Sequence, residues 1–252
     1  MRKPMLTALT MILLAAATAT AAAGPLPANI RAAIHDPLRP AADVATDAER
    51  KPAVMLRFAG IRPGMRVMDM IPGGGYFTRL FATAVGPKGV VYSFQPSELD
   101  SHFTHKPPPI DAVAAEYHNV HVIHASINEV AAPLPLDVVW TSRNYHDLKD
   151  PFFAPADTAK VDKAVFDALR PGGVFVVLDH SAPAGSGIAD TNTLHRIDEA
   201  VVKQEVEAAG FRLVAESNAL RNPKDTRTLK VFDPAIRGHT DQFILKFRKP
   251  RS

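Results

Sequence analysis

Short, almost continuous apolar runs alternate along this chain with longer stretches whose apolar residues recur at helical spacing. Runs at Arg66–Met70, 90–94, 120–123, 137–141 and 174–178 predict five strands, and 211–215 and 242–247 predict two more. Val174 to Leu178 is apolar at every position, as a strand covered on both faces should be. Helical spacing predicts helices over 76–84, 110–117, 158–169 and 194–209. In the last of these Ile197, Val201 and Val206 share a face and Gly210 ends it. Asp47 is placed to cap a helix reaching Phe58, with Pro52 near its start. Pro87-Lys88-Gly89 makes a turn and Lys106-Pro107-Pro108-Pro109 a loop. Strands alternating with helices imply one α/β domain over 47–252, a doubly wound, mostly parallel sheet covered on both sides. Residues 24–46, rich in alanine and proline, form an N-terminal arm, extended or in short helices.

The first residues change that picture. Arg2 and Lys3 precede an apolar stretch from Met5 to Ala19, and Ala21-Ala22-Ala23 supplies small residues for cleavage. Residues 1–23 are therefore expected to be a cleaved signal peptide, which places the protein in the periplasm or outside the cell. An uncleaved anchor is the alternative, because the apolar run approaches spanning length. Removing Arg2 and Lys3 leaves 27 basic against 26 acidic residues, a net charge of +1. That balance, with no run of lysines or arginines, argues against nucleic-acid binding. Absence of cysteine excludes disulfides, thiolate metal sites and cysteine nucleophiles together. A signature serine elbow (G-x-S-x-G) and a phosphate-binding G-x-x-x-x-G-K loop are also missing. Oligomeric state is not legible.

The densest chemistry follows the first strand: Asp69-Met70-Ile71-Pro72-Gly73-Gly74-Gly75-Tyr76. Glycines between a strand and a helix let backbone N–H groups approach a nucleotide-like ligand, although a plain loop would also use them. Thr78 stands where a dinucleotide fingerprint needs its third glycine. Together with Leu169-Arg170-Pro171-Gly172-Gly173 before a strand, this order resembles the class I S-adenosylmethionine-dependent methyltransferases over residues 51–249. Arg50-Lys51-Pro52, Ser142 to Leu148, His195-Arg196-Ile197-Asp198 and Arg237 to Phe243 resemble a group of exported bacterial predicted methyltransferases. The resemblance implies a seven-stranded Rossmann-like sheet and S-adenosylmethionine as cofactor. Asp69, Gly73, Gly74, Gly75 and Tyr76 would then line the cofactor. Gln95 stands for the ribose-binding acid, Ser126 for the adenine-site acid, and Ile71 occupies the first glycine position.

Chemistry on the acceptor side is expected after the fourth and fifth strands. There His146 would act as general base or hydrogen-bond partner, Asn144 and Tyr145 would position the acceptor, and His180 would face the cleft. Packing of Tyr145 and His146 beneath a loop, capping by Asp147 and a structural role for His180 are the alternatives. Asp179 and His180 should point to opposite faces. Ala184-Gly185-Ser186-Gly187 is either a lid or a long connection, and the Asp47 to Lys51 segment either closes over the cofactor or is a solvated face. Arg221, Asn222 and Arg237 would meet an anionic group or a second subunit. His118, His121 and His124 are not expected to converge on a metal, and no metal is expected. The expected function is methyl transfer to a small-molecule acceptor; the alternative is a methyltransferase-fold binding module that transfers nothing.

Overall fold

A computed structural model describes residues 24–99, 108–153 and 156–251. The expected signal peptide and part of the Pro107 loop lie outside the described residues. Seven strands, β1 (Arg66–Met70), β2 (Val90–Pro96), β3 (Val120–Ala125), β4 (Leu136–Ser142), β5 (Leu169–His180), β6 (Arg212–Ser217) and β7 (Gln242–Arg248), form one sheet in the order β3-β2-β1-β4-β5-β7-β6. Every pairing is parallel except those of β7, which runs antiparallel to β5 and β6.

Helices fill both faces. The helices α1 (Ala28–Ile34), α2 (Ala41–Ala45), α3 (Asp47–Arg50), α4 (Pro52–Ala59), α5 (Tyr76–Val85) and α6 (Pro109–Glu116) precede α7 (Thr158–Ala168), α8 (Thr191–Leu194) and α9 (Glu199–Ala208). On one face, Val67, Val91, Val138, Trp140, Val176 and Leu178 pack with Ile30, Leu56 and Phe81. On the other, Met68, Met70, Val139, Phe175 and Val177 meet Val161, Val165, Val202 and Val206. Successive strand residues thus enter different cores, which is why β5 is apolar without alternation. Within the N-terminal arm, α1 buries Ile30 and Ala33 in the first core.

Three expected elements differ. The helix from Asp47 breaks at Lys51, whose left-handed φ of 47° accommodates Pro52 as the first residue of α4. The helix expected over 194–209 begins only at Glu199. His195 takes a left-handed φ of 54°, and Asp198 caps α9 by accepting from the Ala200 N–H. Ile197 is fully buried in the connecting segment, where its N–H donates to the His180 carbonyl. Finally, β5 starts at Leu169 rather than Val174, because Leu169 already pairs with Leu136 across an irregularity in the ladder.

Candidate functional site

Strand order reverses between β1 and β4, so the carboxyl ends of these two strands splay a crevice open. Ile71 leaves β1 there and Asn144 leaves β4. The Asn144 carboxamide bridges them, donating from Nδ2 to the Ile71 and Ser142 carbonyls at 2.9 Å each. Both neighbourhoods carry backbone strain. Ile71 at φ 61°, Arg143 at 64° and His195 at 54° are non-glycine residues in the left-handed region, and all three line cavities at this edge.

The first cavity, about 230 Å³, lies at the glycine turn and is lined by Asp43, Arg50, Asp69, Gly73, Gly74, Tyr76 and Asn144 among others. Space is open where a Cβ on Gly73 or Gly74 would project, whereas one on Gly75 would meet Val113 Cγ2 at 2.7 Å. Below the turn the buried Asp69 accepts from Thr78 Oγ1 at 2.7 Å. Burial pushes its carboxyl up to about 7 against the opposing pull of Thr78 and Arg50. Arg50 stacks over the Tyr76 ring at 3.8 Å, while the Tyr76 hydroxyl donates to Asp47 at 2.6 Å. Burial lowers the Arg50 pKa, and the guanidinium has no ion pair within 4 Å among the described residues. The Asp47 to Arg50 segment therefore does close over the glycine turn. Lys51 instead points to the Ala219 carbonyl, 2.6 Å away.

Gln95 and Ser126 line neither cavity. Gln95 is buried at the end of β2, and its amide nitrogen has no partner among the described residues. Ser126 caps the turn after β3 and donates to Glu98 at 2.7 Å; Glu98 also takes the Ile127 N–H at 3.0 Å. Glu98 supplies a carboxylate close to where an acid was missing at Gln95. The sequence hid it because β2 runs to Pro96, two residues beyond its apolar run.

The second cavity, about 430 Å³, is lined by Arg143, Asn144, His146, Asp147, His180, His195, Phe232, Arg237 and Thr240 among others. Asn144 belongs to both cavities. His146 is 2 % exposed. Its Nδ1 lies 2.8 Å from Asp179 Oδ1, and its own N–H donates to Asp179 Oδ2 at the same distance. Burial disfavours the imidazolium, but the carboxylates of Asp179 and Asp147 outweigh it and raise the pKa to about 10. Its Nδ1 is thus committed to Asp179, and Nε2 is the ring nitrogen left for the cavity. His180 does face the cavity, with Nδ1 2.8 Å from Thr240 Oγ1. Burial, then the nearby Arg143 charge, keeps it neutral. Asp179 turns to the other side, as the strand requires, and its partner is His146.

Tyr145 does not reach the histidine-lined cavity. It is fully buried beneath α7 and α9, with its hydroxyl 2.8 Å from Asp162 and 3.1 Å from Glu205. The glycine loop after Pro183 is tied down rather than lid-like: Gly185 donates to Asp198 at 2.6 Å, and no residue of the loop lines either cavity. Arg221 is committed to Glu199, Ser181 and Asp241, while Arg237 lines the cavity. His121 and His124 are exposed on the edge strand β3, and His118 is exposed in the turn before it. What the sequence missed is His195, whose Nδ1 lies 3.2 Å from His146 Nε2. Its segment was conspicuous, but the expected helix hid a bend that turns it inward.

No family model matches the chain. Over 178 residues, 68% of its length, it is 29% identical to a ubiquinone/menaquinone biosynthesis C-methyltransferase of Vibrio cholerae, spanning 63% of that protein. It therefore covers less than two thirds of this relative. Among solved structures, a SAM dependent methyltransferase from Aquifex aeolicus superposes with a TM-score of 0.57 at 19% identity, covering 82% of this chain and 94% of that one. A Burkholderia thailandensis 1,6-didemethyltoxoflavin-N1-methyltransferase with bound S-adenosylhomocysteine gives 0.52 at 17% identity, covering 83% and 79%. The [4+2]-cyclase SpnF gives 0.57 at 16% identity, covering 84% and 82%. The fold is that of the class I methyltransferases, and the cyclase shows that other chemistry also uses it.

Proposed function

We propose that this chain is an S-adenosylmethionine-dependent methyltransferase acting on a small-molecule acceptor. One observation carries the reading: the glycine-turn cavity and the histidine-lined cavity meet at Asn144, at the point where the strand order reverses. A donor on one side and an acceptor on the other would face each other across that residue. The likeness to the Vibrio cholerae C-methyltransferase supports methyl transfer.

The residues at the glycine turn suit the methionine end of the cofactor. Gly73 and Gly74 leave room for it, and Arg50, stacked on Tyr76 and without an ion pair among the described residues, is a cation for its carboxylate. When bound, S-adenosylmethionine supplies an activated methyl group. The protein's share is alignment, worth up to about 7–11 kcal/mol in well-oriented reactions. Asn144 fixes the boundary between the two spaces, with both amide protons spent on the chain. Arg143 and Arg237 favour an acceptor that carries an anionic group. The exported location rests on residues 1–23 alone.

Calorimetric titration with S-adenosylmethionine tests the reading. One-to-one binding, abolished in Gly74→Val while the fold is kept, is the expected result. No binding by a folded sample would overturn it and leave a non-transferring module on this fold.

A further inference from the structure

Three ligand-type atoms converge in the histidine-lined cavity. His146 Nε2 lies 3.2 Å from His195 Nδ1 and 3.1 Å from Asp147 Oδ1, and the last two atoms are 3.8 Å apart. A divalent ion with bonds of about 2.0–2.1 Å holds neighbouring tetrahedral ligand atoms about 3.3 Å apart. The three separations bracket that value. Hydrogen bonding satisfies the group less well. With Nδ1–H given to Asp179, His146 has one proton left for two acceptors. His195 Nδ1, at 3.8 Å, is too far from Asp147 for a hydrogen bond of its own.

We propose that His146, Asp147 and His195 bind one divalent transition-metal ion of the zinc class. The donor set of two imidazoles and a carboxylate suits such an ion, and three protein ligands leave a position open to the cavity. The surroundings are those of a supported site. Asp179, fully buried, holds His146 through both its ring and its backbone, fixing the tautomer that turns Nε2 toward the other ligands. His195 is set by its left-handed backbone and by Phe232, ring to ring at 5.0 Å. Asp147, Asp150 and Asp179 place three carboxylates around two imidazoles, with Asp150 only 2 % exposed. The ligands come from the turn after β4 and the bend between α8 and α9, so only the folded chain assembles them. Arg143 and Arg237 on the same cavity match an incoming ligand with an anionic oxygen, which would take the open position.

The site shares no residue with the glycine turn and is tested without S-adenosylmethionine, so a negative result leaves the cofactor reading intact. The metal-stripped chain would be titrated calorimetrically with Zn²⁺ and, in parallel, with Co²⁺ followed by visible absorption. One ion per chain and a cobalt spectrum of low coordination number are expected. His195→Asn, which tolerates the left-handed backbone, and Asp147→Ala should each weaken Zn²⁺ binding tenfold or more. Asp179→Asn should weaken it by about 10–100-fold. His121→Ala, on the exposed edge of β3, should bind as the parent does. Absence of saturable binding, or unchanged binding in a folded His195→Asn, would overturn the proposal. Equal weakening by His121→Ala would overturn it too.

Discussion

Asp162 is a carboxyl with almost no access to water, and its surroundings explain both a misplaced residue and a measurable pH dependence. It accepts the Tyr145 hydroxyl, and that bond holds the ring under α7, away from the histidine-lined cavity. Burial raises its pKa from 3.8 to about 7. Between those values the folded chain holds a proton that the unfolded chain releases, so stability falls as pH rises through this window. Asp162→Asn keeps an acceptor for Tyr145 but cannot titrate. Its melting temperature should therefore gain on the parent's steadily from about pH 4 to about pH 7; parallel profiles would show that Asp162 is ionised in the fold. Asp69 acts in the same direction in both proteins. At this scale the sequence was legible where cavity lining follows position along a strand, as for Asn144 and His180. It was silent where two residues meet across the fold: Asp179 and His146 are 33 positions apart, and no spacing announces that pair.

At the scale of elements, the glycine turn separates folding from binding in adjacent residues. Gly75 has φ 78° and lies against Val113 of α6, so a side chain there strains the backbone and strikes a neighbour. Gly75→Val should lose at least about 1–2 kcal/mol in urea unfolding, the usual penalty for a left-handed backbone before the clash is added. Gly74 has open space beyond it. Gly74→Val should therefore unfold like the parent yet fail to bind S-adenosylmethionine. If both variants are equally unstable, the turn is simply structural. The strands were readable because both faces of the sheet are covered, which makes the runs mostly apolar and leaves Val174 to Leu178 without a polar residue. The bend at His195 was not readable, because Ile197 is apolar at helical spacing from Val201 yet packs under β5 from an irregular segment.

For the molecule as a whole, the question is how the excursion between β6 and β7 is held against the histidine-lined cavity. Arg196, fully buried, pairs with Asp225 at 2.9 Å and donates to the Ser181 and Leu229 carbonyls; Asp225 also accepts the Asp241 N–H. That one guanidinium ties the end of β5 to the segment bearing Phe232, Arg237 and Thr240. Asp225→Ala strands a buried cation and should cost about 3–5 kcal/mol in urea unfolding. A loss below about 1 kcal/mol would mean that water reaches the site. Sheet class and strand number were legible from alternation alone. The meeting of two cavities at Asn144 was not, since it depends on where β1 and β4 separate. The central claim is that these cavities are the donor and acceptor halves of one site. A crystal structure of the chain with S-adenosylhomocysteine tests it most directly. The account predicts the amino-acid end beside Arg50 and Gly74, with the sulfur at Asn144 facing His146 and His180; a ligand bound elsewhere, or with its sulfur turned from that cavity, would contradict it.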